Sequence, residues 1–242
     1  MAMNRSIEGF RELGDHDLAK KQAAIQAEFQ RRHPGMDDIS LKGKISRAVG
    51  VQNQETIRFP LSPETQKLVE HMRRDGYAVY ETIGRTPASL KLDGMRYWFL
   101  NDKLADITAP PALLAFRKDP SEFFLPGSRN IAHDEQVKLL SEEQRKVDKK
   151  YPSAGLVVRE GKLPEWTEVA LKHLKATGVR IFGRDYGYNY TWTDTYENEK
   201  PGAGRARFGY WRETLGAVVH LWNPDFVNPV LGLASLVEIS RK

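Results

Sequence analysis

The sequence predicts an α+β fold, and three observations carry that prediction. Residues 163–178 form the clearest amphipathic helix of the chain: Pro164 stands at its start, Glu165 and Glu168 lie where carboxylates suit the helix dipole, and Gly178 supplies the stop. Trp166, Val169, Ala170 and Leu174 make its apolar face. Residues 186–196 mix Tyr, Trp and Thr in the manner of a half-exposed strand. In residues 208–239, two apolar, strand-like runs flank an Asn-Pro-Asp turn, with Trp211, Trp222 and Phe226 close together. Such a tail is either a β-core or a β-scaffolded binding face.

Composition bounds what the chain can do. Its 242 residues suffice for one large or two small domains, and 40% hydrophobic with 29% charged residues argues against wholesale disorder. The net charge is +5, but Lys and Arg are interspersed with Asp and Glu. That mixing describes a solvated surface better than a one-sided patch, so no nucleic-acid partner is expected, and a basic nucleic-acid binder stands third among the readings. No cysteine is present, which removes disulfides, thiolate catalysis, zinc–thiolate sites and iron–sulfur clusters together. Neither an apolar h-region nor a run of ~18 apolar residues is visible, so neither a signal peptide nor a membrane partner is expected.

Taken in order, residues 7–33 read as a helix with Leu18, Ala24, Ile25 and Phe29 on one stripe, ended by Pro34-Gly35, and 36–54 as a connector. Residues 56–59 read as a short strand. Ser62-Pro63-Glu64 opens a helix with Leu68, Val69 and Met72 inward, closed by Asp75-Gly76. Residues 77–83, 89–92 and 96–100 read as strands, the last two joined as a hairpin across Asp93-Gly94. Three prolines and two phenylalanines make 109–125 a packed loop; 134–150 is a helix polar almost all round, hence on the surface. Residues 199–204 form a Gly-rich loop.

Catalytic constellations are missing. His16, His33, His71, His133, His173 and His220 are scattered, with no His-Glu-x-x-His pair, no Gly-x-Ser-x-Gly elbow and no phosphate-cradling Gly-rich motif in a strand–helix context. Asp185, Asp194, Glu197 and Asn198 match no EF-hand spacing and read as turn polarity. No enzyme activity, cofactor or metal is therefore expected. The rings of 186–196 suit strand packing, with a few left exposed for recognition of sugars, peptides or protein surfaces.

The last third of the chain resembles the C-type lectin fold in its formylglycine-generating-enzyme-like branch. Leu163-Pro164-Glu165-Trp166 match its helix and Trp192-Thr193 its Trp-Thr strand. Gly209 and Trp211 match the next strand, Asn223-Pro224-Asp225 the loop, and Leu231-Gly232-Leu233 the last strand, where Gly232-Leu233-Ala234 replaces the branch's Gly-Phe-Arg end. The oxidase members need active-site cysteines, so formylglycine generation is excluded here. Non-catalytic relatives include the variable proteins of diversity-generating retroelements, which display ligand-contacting residues near the C-terminus. Their codons are rewritten by adenine-directed mutagenesis, and Asn-type template codons never yield Trp, Lys, Glu, Gln or Met.

The resemblance implies an α+β chain with a C-type lectin-like domain at the C-terminus, a helical N-terminal segment (1–54) and a mixed α/β middle region within 55–242. Its display tail is 205–242. Tyr210, Arg212, Thr214, Leu215, Ala217, Val219, His220, Leu221, Phe226, Val227 and Val230 belong to the permitted set and are the implied ligand-binding residues, facing a protein or glycan surface. Trp211, Trp222, Gly232 and the last strand are the expected scaffold. The alternative is an enzyme or regulator with its site in 56–125, where His71, Asp93 and Arg96 are the residues to test, and a structural C-terminus.

Overall fold

The structure, a computed structural model, describes residues 60–182, 189–197, 204–212, 215–225 and 227–240. The helix expected over 7–33, the connector at 36–54, the strand at 56–59, most of the 199–204 loop, and Thr214 and Phe226 lie outside the described residues. Of Arg212 only the backbone is described. The chain divides into two compact units, 1–55 with 172–180, and 56–171 with 181–242. The described part of the first is the last turn of a helix and its C-terminal stop at Gly178, whose N–H returns to the Leu174 carbonyl.

The second unit is α+β. Helix α1 (Pro63–Arg74) starts where Ser62 accepts the Thr65 N–H through its side chain, with Pro63 already at helical φ, and it stops at Asp75. Its stripe buries Val69 and Met72. Strands β1 (Tyr77–Thr82), β3 (Ala112–Arg117), β9 (Ser235–Ile239) and β4 (Val157–Glu160) follow in that order across a wholly antiparallel sheet. Side chains alternate across it. Tyr77, Val79, Leu113, Ala115, Val158, Val237 and Ile239 share one core with Val69 and Met72 of α1 and with Val147 and Tyr151 at the end of α2 (His133–Lys150). On the opposite side Phe116 meets Trp166 of α3 (Leu163–Thr177) edge-on at 6.1 Å.

The second sheet runs β2 (Tyr97–Leu100), β7 (Gly216–Trp222), β6 (Arg205–Arg212), β5 (Tyr190–Tyr196), β8 (Leu231–Gly232). Its outer pairings, β2 with β7 and β5 with β8, are parallel, and the inner ones antiparallel. One side carries Ala206, Phe208, Ala217, Val219, Thr191 and Thr193, all fully buried. Phe208 meets Phe182, and Phe182 meets Trp166, both in edge contacts. Trp166 thus links the two sheets through a chain of rings.

Several expectations are corrected. Residues 89–92 are a 3-10 helix (Ser89–Asp93), not a strand: Thr86 Oγ1 accepts the Ser89 N–H, and only Leu90 is buried while Leu92 is 90% exposed. Asp93-Gly94 is therefore no hairpin; Gly94 caps that helix at φ 94°, and β2 pairs instead with β7. Within 109–125 the run Ala112–Arg117 is an inner strand, because Pro110 and Pro111 precede the first ladder residue and cost no hydrogen bond. The expected surface helix, α2, buries His133, Gln136, Glu143 and Val147. Val157–Glu160, read as no element, is an edge strand.

One polar group holds the two sheets together. Glu160 at the end of β4 accepts from His133 at the start of α2, with Nε2 to Oε1 at 2.6 Å, and its other oxygen accepts from Arg205 of β6. Arg205 also donates Nε to the Thr193 carbonyl at 2.8 Å and Nη1 to the Tyr196 hydroxyl. All three ionisable groups are buried. Such a network specifies an arrangement more than it adds stability, and removing one member leaves an uncompensated buried charge. Glu160→Ala is expected to cost about 3–5 kcal/mol by urea unfolding, and the double replacement of Glu160 and Arg205 by Leu and Met to recover much of it.

Candidate functional site

The other side of the second sheet is the candidate site. Residues directly opposite in a ladder share a side, so one rung there reads Trp192–Arg207–His220 and the next Tyr190–Gly209–Val218–Phe99. Helix α2 covers one end. His133 meets Trp192 edge-on at 5.9 Å, and Leu139 and Leu140 pack with Trp192, Leu231 and Leu233. The end formed by β2 and β7 is open: Trp98 is 51% and Phe99 44% exposed.

Two ladder irregularities aim rings onto that open end. The register breaks in β2 between Tyr97 and Phe99, and in β6 between Gly209 and Arg212. The second break holds Tyr210 at φ 50°, a left-handed conformation that costs a non-glycine residue about 1–3 kcal/mol. Bulges re-aim side chains, and here the Tyr210 ring lies parallel to Tyr190 at 5.5 Å and stacks on Trp98 at 5.7 Å. Gly209 makes this possible. A Cβ there would stand 2.2 Å from the Asn189 carbonyl oxygen, so β5 could not approach. Beside these rings His220 stacks on Phe99 at 5.0 Å, and its Nδ1 lies 2.6 Å from the Leu221 carbonyl oxygen, donating to it.

Arg207 lies beneath the rings. Its guanidinium is 4.1 Å from the Tyr190 centroid and also lies over the Trp222 ring. The residue is only 6% exposed, and its Nε and Nη1 have no hydrogen-bond partner among the described residues. Burial pushes it down to about 9, slightly countered by Tyr190.

The expected display residues separate by position. Tyr210, His220, Leu221 and Val230 are half-buried, and Leu215 and Val227 exposed. Ala217 and Val219 are fully buried on the Phe208 side and offer a ligand nothing; parity along β7 decides this, since each neighbours a residue on the open side. Trp211 is buried as a scaffold residue would be, whereas Trp222 is a half-buried ring of the site. Trp98, Phe99, Tyr190 and Arg207 were missed. Consecutive aromatics in the 96–100 run were the signal for the first two.

The alternative residues have separate partners. His71 faces Asp75 at 3.4 Å and the Tyr151 ring, Asp93 pairs with Arg85, and Arg96 is exposed with its carbonyl accepting the Ala217 N–H. Asp75 is held below the usual carboxylate range by the Tyr151 hydroxyl and by Lys150. Among the described residues no group of three His, Asp or Glu could hold a metal ion, and no helix is long and apolar enough to cross a membrane.

The two sides of this sheet should respond differently to truncation. Phe208→Ala is expected to cost about 3–5 kcal/mol in urea unfolding, and Trp98→Ala under about 1 kcal/mol. Arg207 also predicts a pH dependence. Its folded value of about 9 lies well below the usual guanidinium range, so between the two the unfolded chain binds more protons and stability rises with pH. Wild type should therefore gain on Arg207→Met as pH rises from about 9; a gap constant through that range in paired unfolding curves would contradict the shift. Comparison with protein-family models, curated proteins and solved structures finds no match to this chain.

Proposed function

We propose that this protein is a non-catalytic ligand-binding protein of the diversity-generating retroelement type, presenting diversified residues on a C-type lectin scaffold. One observation carries the reading. The implied display residues Tyr210 and His220 lie at the open end of a sheet whose far side is packed shut, beside the exposed rings of Trp98 and Phe99. A surface that must tolerate many sequences needs its core elsewhere. Here the core lies in the Phe208–Phe182–Trp166 ring chain and the Glu160–Arg205 network. Stiff aromatic side chains supply contact area at low entropy cost, as in antibody paratopes. Of the eleven implied contact residues, Ala217, Val219 and Leu221 leave the display set, the last because it stands opposite Ala206 on the Phe208 side, and Trp98 and Phe99 join it as invariant contacts from outside the tail.

The ligand in this reading is a protein or glycan surface. The test is genomic. Sequencing around the gene should find a near-copy of the DNA for residues 208–239, differing mainly at adenines and close to a reverse-transcriptase gene. If the flanking DNA holds no such copy, diversification is ruled out.

A further inference from the structure

Two arginines of this structure show what a compensated guanidinium looks like. Arg205 is held by Glu160, the Thr193 carbonyl and the Tyr196 hydroxyl; Arg159 is paired with Glu165 and Glu238 at 2.7 Å each. Arg207 stands two residues from Arg205, on the same side of the same strand, and has no carboxylate partner among the described residues. Tyr190 and Trp222 give it ring faces, which attract a cation but accept no N–H hydrogen bond in its plane. A residue serving packing alone at this position would be an uncharged one, because an uncompensated buried charge is costly. Its neighbours Trp98, Phe99, Tyr210 and Trp222 add the aromatic surface that, with arginine, dominates the energetics of protein–protein interfaces.

We propose that Arg207 is a carboxylate receptor: an Asp or Glu side chain of a partner protein docks on the Trp98–Phe99–Tyr210–Trp222 surface and pairs with its guanidinium. This deepens, and rests on, the reading of that surface as a ligand-binding face. The half-buried Trp222 ring lies over the guanidinium and must turn aside to admit the carboxylate. The incoming acid satisfies N–H groups that have no partner among the described residues, so the pair is formed at the cost of desolvating the ligand alone. Amide analogues, which carry no charge, lose that gain.

The test is an NMR titration of the isotope-labelled full chain with acetyl-Leu-Glu-Leu-amide, its Gln counterpart and glucuronate. The Glu peptide should shift the Arg207 side-chain and Trp222 indole resonances saturably, and the Gln peptide should bind about tenfold more weakly. Arg207→Met should erase that preference while its thermal midpoint stays level or rises; Arg205→Met, by contrast, should lower the midpoint. Four results overturn the proposal: equal binding of the Gln peptide, glucuronate binding as tightly as the Glu peptide, no saturable shift up to the solubility limit, or a midpoint loss for Arg207→Met equal to that of Arg205→Met. The first of these leaves the aromatic face standing as a binding surface without carboxylate recognition. A missing template copy, conversely, strikes diversification and not Arg207.

Discussion

The Glu160 carboxylate is the constraint on which the rest of the structure depends. It sits on an edge strand of one sheet, holds Arg205 of the other, and accepts from His133 at the first turn of α2. Three elements distant in sequence thereby acquire one relative position. A buried ion network is a poor source of net stability but a strict judge of geometry, since any arrangement that separates its members leaves a bare charge. Because α2 is pinned at His133, it lies over Trp192 and closes one end of the second sheet. The opposite end is left open, and every feature of the candidate site is there.

That open end collects local costs of different physical origin. Tyr210 holds a left-handed backbone conformation, Arg207 is buried with no acid beside it among the described residues, and Trp98 and Phe99 keep large apolar rings in water. None of these helps the chain fold. Functional surfaces are where sequences depart from local consistency, and such departures survive when the surrounding structure over-determines them. Here the surrounding structure is the wholly buried side of the same sheet, where Phe208, Ala217 and Val219 leave no room for slippage: a shift of one residue would exchange the two sides.

Much of the fold was legible from local signals. Helix α1 follows from Ser62-Pro63 and its inward stripe, and the helix from Leu163 from its apolar face and Gly178; both depend on interactions within a few residues. The misread segments depend on distant partners. SLKL alternates over only four residues, too few to separate a strand from a 3-10 turn, and the Thr86 cap decided it. ALLAFR is an unbroken apolar run of the kind an inner strand shows, obscured by the prolines just before it. In the site, Tyr210 and His220 were named from the tail, yet Arg207 gave no signal, because an arginine in a strand is ordinary until its partners are counted.

By itself, the sequence determined the α+β class, the absence of cysteine chemistry, the helix boundaries set by caps and stops, and the aromatic richness of the tail. These follow from composition and from forces acting over a turn or two of chain. Tertiary structure alone decided which tail residues face inward, because that depends on register against β2 and β5, and β2 comes from far upstream. It also decided that of two arginines two positions apart, Arg205 meets a carboxylate and Arg207, among the described residues, meets rings. Charge compensation is a property of what the fold brings near, and no local pattern encodes it.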